Sequence, residues 1–233
     1  EGGKSIFCDI DPNTLNIDIN KIEKLITSRT KAIVMVDMCG QPCKYKEIRE
    51  ICNRYNLFLI QDSAHSLGGE YNNQKVGSYA DITCLSFHPV KNITTCEGGM
   101  MVTNNKDFLE KGKLCRSHGI TRDYMEREKT NSHYYDMVEL GFNYRIPDIL
   151  CALGLNQMNK LDSFIKKRNE IANKYNRFFS NYTNLLEPLH NYYLNAYHIY
   201  VIKLKLENLT LSRDEVFKKL KERQIGVNVH YMP

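Results

Sequence analysis

No stretch of this chain approaches the roughly twenty consecutive apolar residues that a membrane-spanning helix requires. No signal-peptide pattern opens it either. Together these absences lead to the expectation of a cytoplasmic protein with no membrane partner. Like charges never run five in succession, so the formal net charge of +5 is dispersed. A nucleic-acid surface needs Lys and Arg gathered on one face, and no nucleic-acid partner is expected. The eight cysteines include no C-x-x-C pair. The nearest two, Cys39 and Cys43, have neither a second pair nor a histidine set beside them, so no metal site is expected. Several of the eight fall in strand or helix patterns and read as small apolar core residues with reduced thiols. Internal repeats and low-complexity linkers are also missing.

What is present is the pattern of an α/β protein. At 233 residues and 42% hydrophobic, the chain has room for one large domain or one and a half. Ile6 to Ile10 reads as a short strand. Asp18 reads as the cap of a helix with Ile19, Ile22, Leu25 and Ile26 on one face. Residues 31–37 hold the run Ala-Ile-Val-Met-Val, which reads as a strand buried on both faces. A helix carrying Ile48, Ile51, Cys52 and Tyr55 leads into a strand over Leu57 to Asp62. Alternating strands and helices predict a mostly parallel sheet with right-handed crossovers. The connection from the strand at Ile82–Phe87 to that at Met100–Thr103 is too short for a crossover, which predicts an antiparallel return. A helix follows from Asn104 to about Cys115. Residues 119–140 are polar and irregular, Pro147 suits the first turn of a helix, and a long helix is predicted over Leu161–Phe179. Beyond it come a strand at Ala196–Leu206, a helix with a Ser212…Glu215 capping box, and a strand at Val227–Tyr231.

Two residues carry the chemistry. Lys91 stands in the irregular connection between two strands, Ser86-Phe87-His88-Pro89-Val90-Lys91-Asn92-Ile93-Thr94-Thr95. A lysine there is either a solvated loop residue or one at the floor of a cleft, where burial disfavours the ammonium and leaves an amine that attacks carbonyl carbon. Asp62 closes its strand and precedes Ser63-Ala64-His65-Ser66-Leu67-Gly68. Carboxylates at such strand ends are often caps or turn residues, but in open α/β sheets they also face the ligand crevice. Pyridoxal phosphate uses this pair of groups: a lysine holds C4′ and a carboxylate keeps the ring nitrogen protonated.

The segments around Asp62 and Lys91 resemble the sugar aminotransferases of the DegT/StrS type. The resemblance extends through Gly98-Gly99-Met100-Met101-Val102-Thr103-Asn104, Arg116-Ser117-His118-Gly119-Ile120-Thr121-Arg122-Asp123, Glu139-Leu140-Gly141-Phe142-Asn143-Tyr144-Arg145 and Val227-Asn228-Val229-His230-Tyr231. Within the family it looks most like the pseudaminic acid branch. The resemblance implies a fold type I pyridoxal-phosphate transferase: a mostly parallel sheet flanked by helices, with a smaller α+β C-terminal domain. It implies a partial cofactor-binding large domain over residues 1–160. Residues 161–233 would then hold a bridging helix and the start of the small domain.

The chain begins without methionine. Relatives carry a substantial region before this point, including a first helix with a Gly-Thr phosphate cradle, so an N-terminal part is expected to be missing. By resemblance Lys91 is catalytic, and Asp62, His65, Ser86, Lys91 and Asn143 bind the cofactor, pyridoxal 5′-phosphate. Asn143 would reach the phosphate of a neighbouring subunit, implying a homodimer with a shared active site. His88, Arg145, His230 and Tyr231 are candidate substrate contacts. Each has a plainer reading as well: strand-end serine, backbone-satisfied histidine, turn asparagine, or residues packed under a loop or at a strand end.

The implied reaction moves an amino group from L-glutamate to C4 of a UDP-linked 4-keto-6-deoxy-N-acetylhexosamine. A dTDP or GDP sugar, amination at C3, or a truncated non-catalytic homologue are the alternatives. Sugar dehydratases of this fold carry histidine in place of the lysine, and Lys91 argues against that class.

Overall fold

The computed structural model describes residues 2–121, 124–131 and 133–230. Its centre is a four-stranded sheet of β1 (Ala32–Val36), β2 (Phe58–Asp62), β5 (Ile82–Ser86) and β6 (Gly99–Val102), in the order β1-β2-β5-β6. β1, β2 and β5 are parallel and β6 returns antiparallel, as the connection lengths predict. The register pairs Val36 with Asp62 and Asp62 with Cys84. The C-terminal ends of the three parallel strands therefore share one edge, and the side chains that follow them converge there.

Helix α1 (Ile19–Ile22) is short and continues as a 3-10 turn to Leu25; Asp18 Oδ1 caps it by accepting from Asn20 N at 3.0 Å. The crossover from β1 to β2 is α2 (Tyr45–Tyr55), which buries Tyr45, Ile48, Ile51 and Cys52 against Ile33, Met35 and Leu59. Each such aliphatic side chain contributes roughly 1.5–3 kcal/mol by leaving water. Tyr55 stays half exposed. Only one face of β1 is covered among the described residues: Ile33 and Met35 are buried, while Val34 is 56% and Phe58 on β2 is 54% exposed. The expectation of a strand buried on both faces is thus corrected, because α2 packs on one side alone.

Between β2 and β5 a hairpin of β3 (Glu70–Tyr71) and β4 (Gln74–Lys75) turns through Asn72 and Asn73, both at positive φ. α3 (Lys106–Arg116) starts at its cap Asn105. The polar stretch after it contains a short helix, α4 (Tyr124–Lys129), where irregular chain is expected. Pro147 is the N-cap of α5 (Asp148–Met158) rather than a first-turn residue. α6 runs over Leu161–Phe179, as predicted. Leu161 and Ile165 join Phe87, Ile93 and Ala196 in a second core beneath the Lys91 loop. β7 (Leu186–Pro188) pairs with β8 (Ile202–Leu204), and α7 (Arg213–Glu222) opens on the Ser212–Glu215 capping box.

Three expected strands need correction. Residues 6–10 form only an isolated bridge from Ile10 to Ile17; Phe7 is 93% exposed, with no strand beside it among the described residues to accept its backbone. The strand over Ala196–Leu206 shrinks to β8, because residues 196–199 give their amides to a loop: Ala196 N donates to Gly40 O at 2.9 Å and Ile199 N to Cys39 O at 3.3 Å. Val227–His230 carries no strand, and Tyr231 lies outside the described residues.

Candidate active site

Asp62 ends β2, and its Oδ1 accepts from Ala64 N at 3.0 Å, which starts a tight turn. Ser66 N donates to Ser63 O at 3.1 Å and Gly69 N to Ser66 O at 2.8 Å, so the turn continues in two further steps. Gly68, at φ +89°, has no room for a side chain: a Cβ would lie 2.6 Å from Ile165 Cγ1 on α6.

The loop carrying Lys91 is clasped at its base by Phe87 N donating to Gly98 O at 2.8 Å and Thr95 N to Phe87 O at 3.0 Å. Lys91 N donates to His88 O at 3.0 Å, so the lysine sits one step past a turn. Its neighbour Asn92 is buried and donates from Nδ2 to Leu67 O and Ala196 O. One amide thus ties the lysine loop to the Asp62 turn and to the 195–199 segment. That segment is fastened to α6 by Arg168, which donates to Tyr197 O at 2.8 Å, and by Asn169, which donates to Asn195 O at 2.9 Å.

Burial pushes the Lys91 amine below the ordinary lysine range, and the Asp62 carboxylate acts against that shift. The two groups therefore feel each other's charge, yet no ion pair joins them. His65 Nδ1 accepts from Cys39 N at 3.3 Å, and its ring lies 4.5 Å from that of His198, tilted by 33°. Burial lowers the pKa of His65, followed by the charge of Lys91; Asp62 opposes them and His230 adds to them. Burial also drives His198 down to about 3, with His65, Lys91, Arg168 and His230 adding to the effect. Its Nδ1 is buried without a hydrogen-bond partner.

Asp62, His65, Lys91, His198 and His230 thus form one electrostatic cluster. Ser86 ends β5, where its Oγ accepts from His88 N at 3.4 Å. The structure does not bring His88, Asn143 or Arg145 into the cluster. His88 is exposed and faces Glu97 at 3.8 Å. Asn143 bridges to Ser117 on an exposed segment that also holds Arg145. Sequence reasoning missed Asn92 and His198. Asn92 is adjacent to Lys91, but its partners lie 25 and 104 residues away.

This donor set fits pyridoxal phosphate. A desolvated amine and a carboxylate share a field without closing on each other, which suits an aldehyde-bearing cationic ring held between them. The imidazole of His65, in the field of both groups, adds a polar group beside that space.

The profile of the DegT/DnrJ/EryC1/StrS aminotransferase family matches residues 1–233. The chain is 43% identical over 237 residues to a UDP-4-amino-4,6-dideoxy-N-acetyl-beta-L-altrosamine transaminase of Campylobacter jejuni, covering 100% of this chain and 60% of the relative. Its structure resembles PseC of Helicobacter pylori, an aminotransferase involved in pseudoaminic acid biosynthesis, with a TM-score of 0.91, 37% identity, and coverage of 100% of this chain and 60% of that one. It also resembles the E. coli GDP-4-keto-6-deoxy-D-mannose-3-dehydratase with bound hydrated PLP, with a TM-score of 0.84, 26% identity, and coverage of 94% and 58%. The chain therefore spans about 60% of the length of the curated relatives it matches. On this evidence the chain belongs to the DegT/DnrJ/EryC1/StrS aminotransferase family.

Proposed function

We propose that the protein is a pyridoxal-phosphate-dependent aminotransferase of nucleotide-linked keto-sugars. It moves an amino group from L-glutamate to C4 of a UDP-linked 4-keto-6-deoxy-N-acetylhexosamine, a step toward pseudaminic acid or a related surface glycan. The observation that carries this reading is the half-buried Lys91 amine, in the loop after β5, in the field of the Asp62 carboxylate at the end of β2, with no ion pair between them. The similarity to the transaminase of C. jejuni supports the substrate class.

Bound at this site, the cofactor supplies the electron sink that exchange of a C–N bond requires. Lys91, deprotonated more easily through burial, attaches it and afterwards carries a proton at Nζ. Asp62 would serve the ring nitrogen and keep it protonated. His65, held by Cys39 N, would stand beside the ring, and Ser86 Oγ would hold the phosphate. His230, whose charge acts on both His65 and His198, borders the sugar side.

The functional unit in this reading is a homodimer with a shared site, in which Asn143 reaches the neighbouring subunit's phosphate. Exposed apolar side chains support a buried role for the surrounding surface: Ile149 on α5 is 78% exposed, and Phe142 and Tyr144 stack beside Asn143 at 4.8 Å between ring centroids. The free cysteines Cys84, Cys96, Cys115 and Cys151 are exposed, which suits the reducing cytoplasm.

The test is to incubate the intact protein with pyridoxal phosphate, L-glutamate and a panel of UDP-, dTDP- and GDP-linked keto-sugars. Products are then identified by mass spectrometry and NMR. A 4-amino UDP-sugar is expected; no amino sugar from any acceptor would defeat the reading.

A further inference from the structure

We propose that Asp37 is the positioning residue that fixes the Asp62 turn for cofactor binding. The inference rests on the cofactor reading above, and its test separates the two. Asp37 follows β1 directly and is fully buried, at 0% exposure. Five donors converge on its carboxylate. Oδ1 accepts from Cys43 N at 2.9 Å. Oδ2 accepts from Tyr45 Oη at 2.7 Å, Gln61 Nε2 at 2.8 Å, Ser63 Oγ at 2.8 Å and Ser66 Oγ at 2.7 Å. A carboxylate is an acceptor-only group with about four lone-pair sites, and hydrogen bonds to a charged acceptor are the stronger kind.

The identity of the donors is what makes this a device for the site. Three of the five, Gln61, Ser63 and Ser66, bracket Asp62 and His65 in sequence. Gln61 and Ser63 flank Asp62, so its neighbours on both sides are pinned to one buried carboxyl group while its own side chain stays outside that network. Ser63 and Ser66 flank the Ala64-His65 step in the same way. The backbone adds a further tie, Asp37 N to Asp62 O at 3.0 Å. Gln61 passes the constraint to β5, because its Oε1 accepts from Thr83 Oγ1 at 3.1 Å. The remaining donors, Cys43 N and Tyr45 Oη, lock the same carboxylate to the start of α2. A group that touches no ligand thereby sets where Asp62 and His65 present theirs.

Asp37→Asn puts an amide donor among these five donors, so at least one of the five loses its acceptor. The first readout needs no cofactor: amide hydrogen exchange at residues 63–66 of the intact protein should accelerate in the variant. The second is pyridoxal phosphate affinity, expected to weaken by about tenfold or more, the scale of one lost charge-assisted contact. The third is the midpoint of the pH titration of the bound-cofactor absorbance, which should shift. Ile48→Val, which loosens the packing of α2 away from the turn, serves as control and should leave affinity and midpoint unchanged. A folded Asp37→Asn protein with native exchange, affinity and midpoint would overturn the proposal. If Asp37→Asn does not fold, Ser66→Ala removes one donor from within the turn and decides the matter: faster exchange and weaker affinity support the proposal, unchanged values overturn it. Failure of the unmodified protein to bind pyridoxal phosphate would instead strike the cofactor reading, while exchange still reports on the turn.

Discussion

The side-chain amide of Asn92 donates to the carbonyl of Leu67 at 3.1 Å, tying the loop of Lys91 to the turn of Asp62. It also donates to Ala196 O at 3.3 Å. Asn92→Ala strands two buried carbonyls, which costs about 1–3 kcal/mol per unsatisfied group. We expect a lower unfolding midpoint in denaturant together with weaker cofactor binding. A variant of native stability would show that water replaces the amide at no cost.

Lys91→Ala should abolish amino transfer while leaving the far-ultraviolet circular dichroism unchanged, since the lysine side chain makes no ion pair with Asp62. In the unsubstituted protein, borohydride treatment with pyridoxal phosphate should fix the cofactor on Lys91, read by peptide mass mapping. A label on any other lysine contradicts the assignment.

Asp62→Asn removes the carboxylate but keeps an oxygen able to accept from Ala64 N. The fold should survive, and kcat/KM should fall by an amount equivalent to ~2–4 kcal/mol, the scale of one preorganised electrostatic contact. An unchanged rate would mean that another group serves the ring nitrogen.

His198 is held well below the ordinary histidine range, at about 3, first by burial and then by His65, Lys91, Arg168 and His230. The unfolded chain therefore binds a proton at this site that the folded one refuses. Stability attributable to His198 is full above pH 6.5 and drains away as the pH falls toward about 3. His198→Asn should flatten the decline in stability across that window, measured by denaturant unfolding at several pH values. An identical slope in both proteins refutes the buried neutral imidazole.

Gly40 sits at φ +106°, and a Cβ there would lie 2.8 Å from Tyr197 N and 2.9 Å from His198 N. Gly40→Ala should cost about 1–3 kcal/mol from backbone strain, and should separate the His65–His198 ring pair. Thermal unfolding and the two histidine C2-proton shifts report these effects. Unaltered shifts would mean that the loop absorbs the methyl elsewhere.

Much of the sheet was legible because its signals are local. The apolar runs that became β1, β2 and β5 and the 3.6-residue spacing of Leu161, Ile165 and Ala172 need no knowledge of the rest of the chain. The Asn72-Asn73 pair, tolerant of positive φ at both positions, is a local hairpin signal of the same kind. Residues 196–199 look like strand by composition, but the acceptors of their amides are Gly40 and Cys39, which sequence does not place nearby. The same divide runs through the site. Lys91 stands in the loop between two strands and Asp62 at a strand end, and both announce themselves. Asp37 stands at one too, yet what distinguishes it is a set of donors up to 29 residues away.

Phe87 and Gly98 clasp the base of the Lys91 loop, and just outside them Ser86 stays in register with Gly99. The loop is therefore a ring of fixed circumference, anchored to strands that cannot slide. An inserted residue between Ser86 and Lys91 would shift the amine relative to its carboxylate. Proteins descended from a common ancestor with this one should vary here by exchanging side chains, with the spacing from Ser86 to Lys91 held constant.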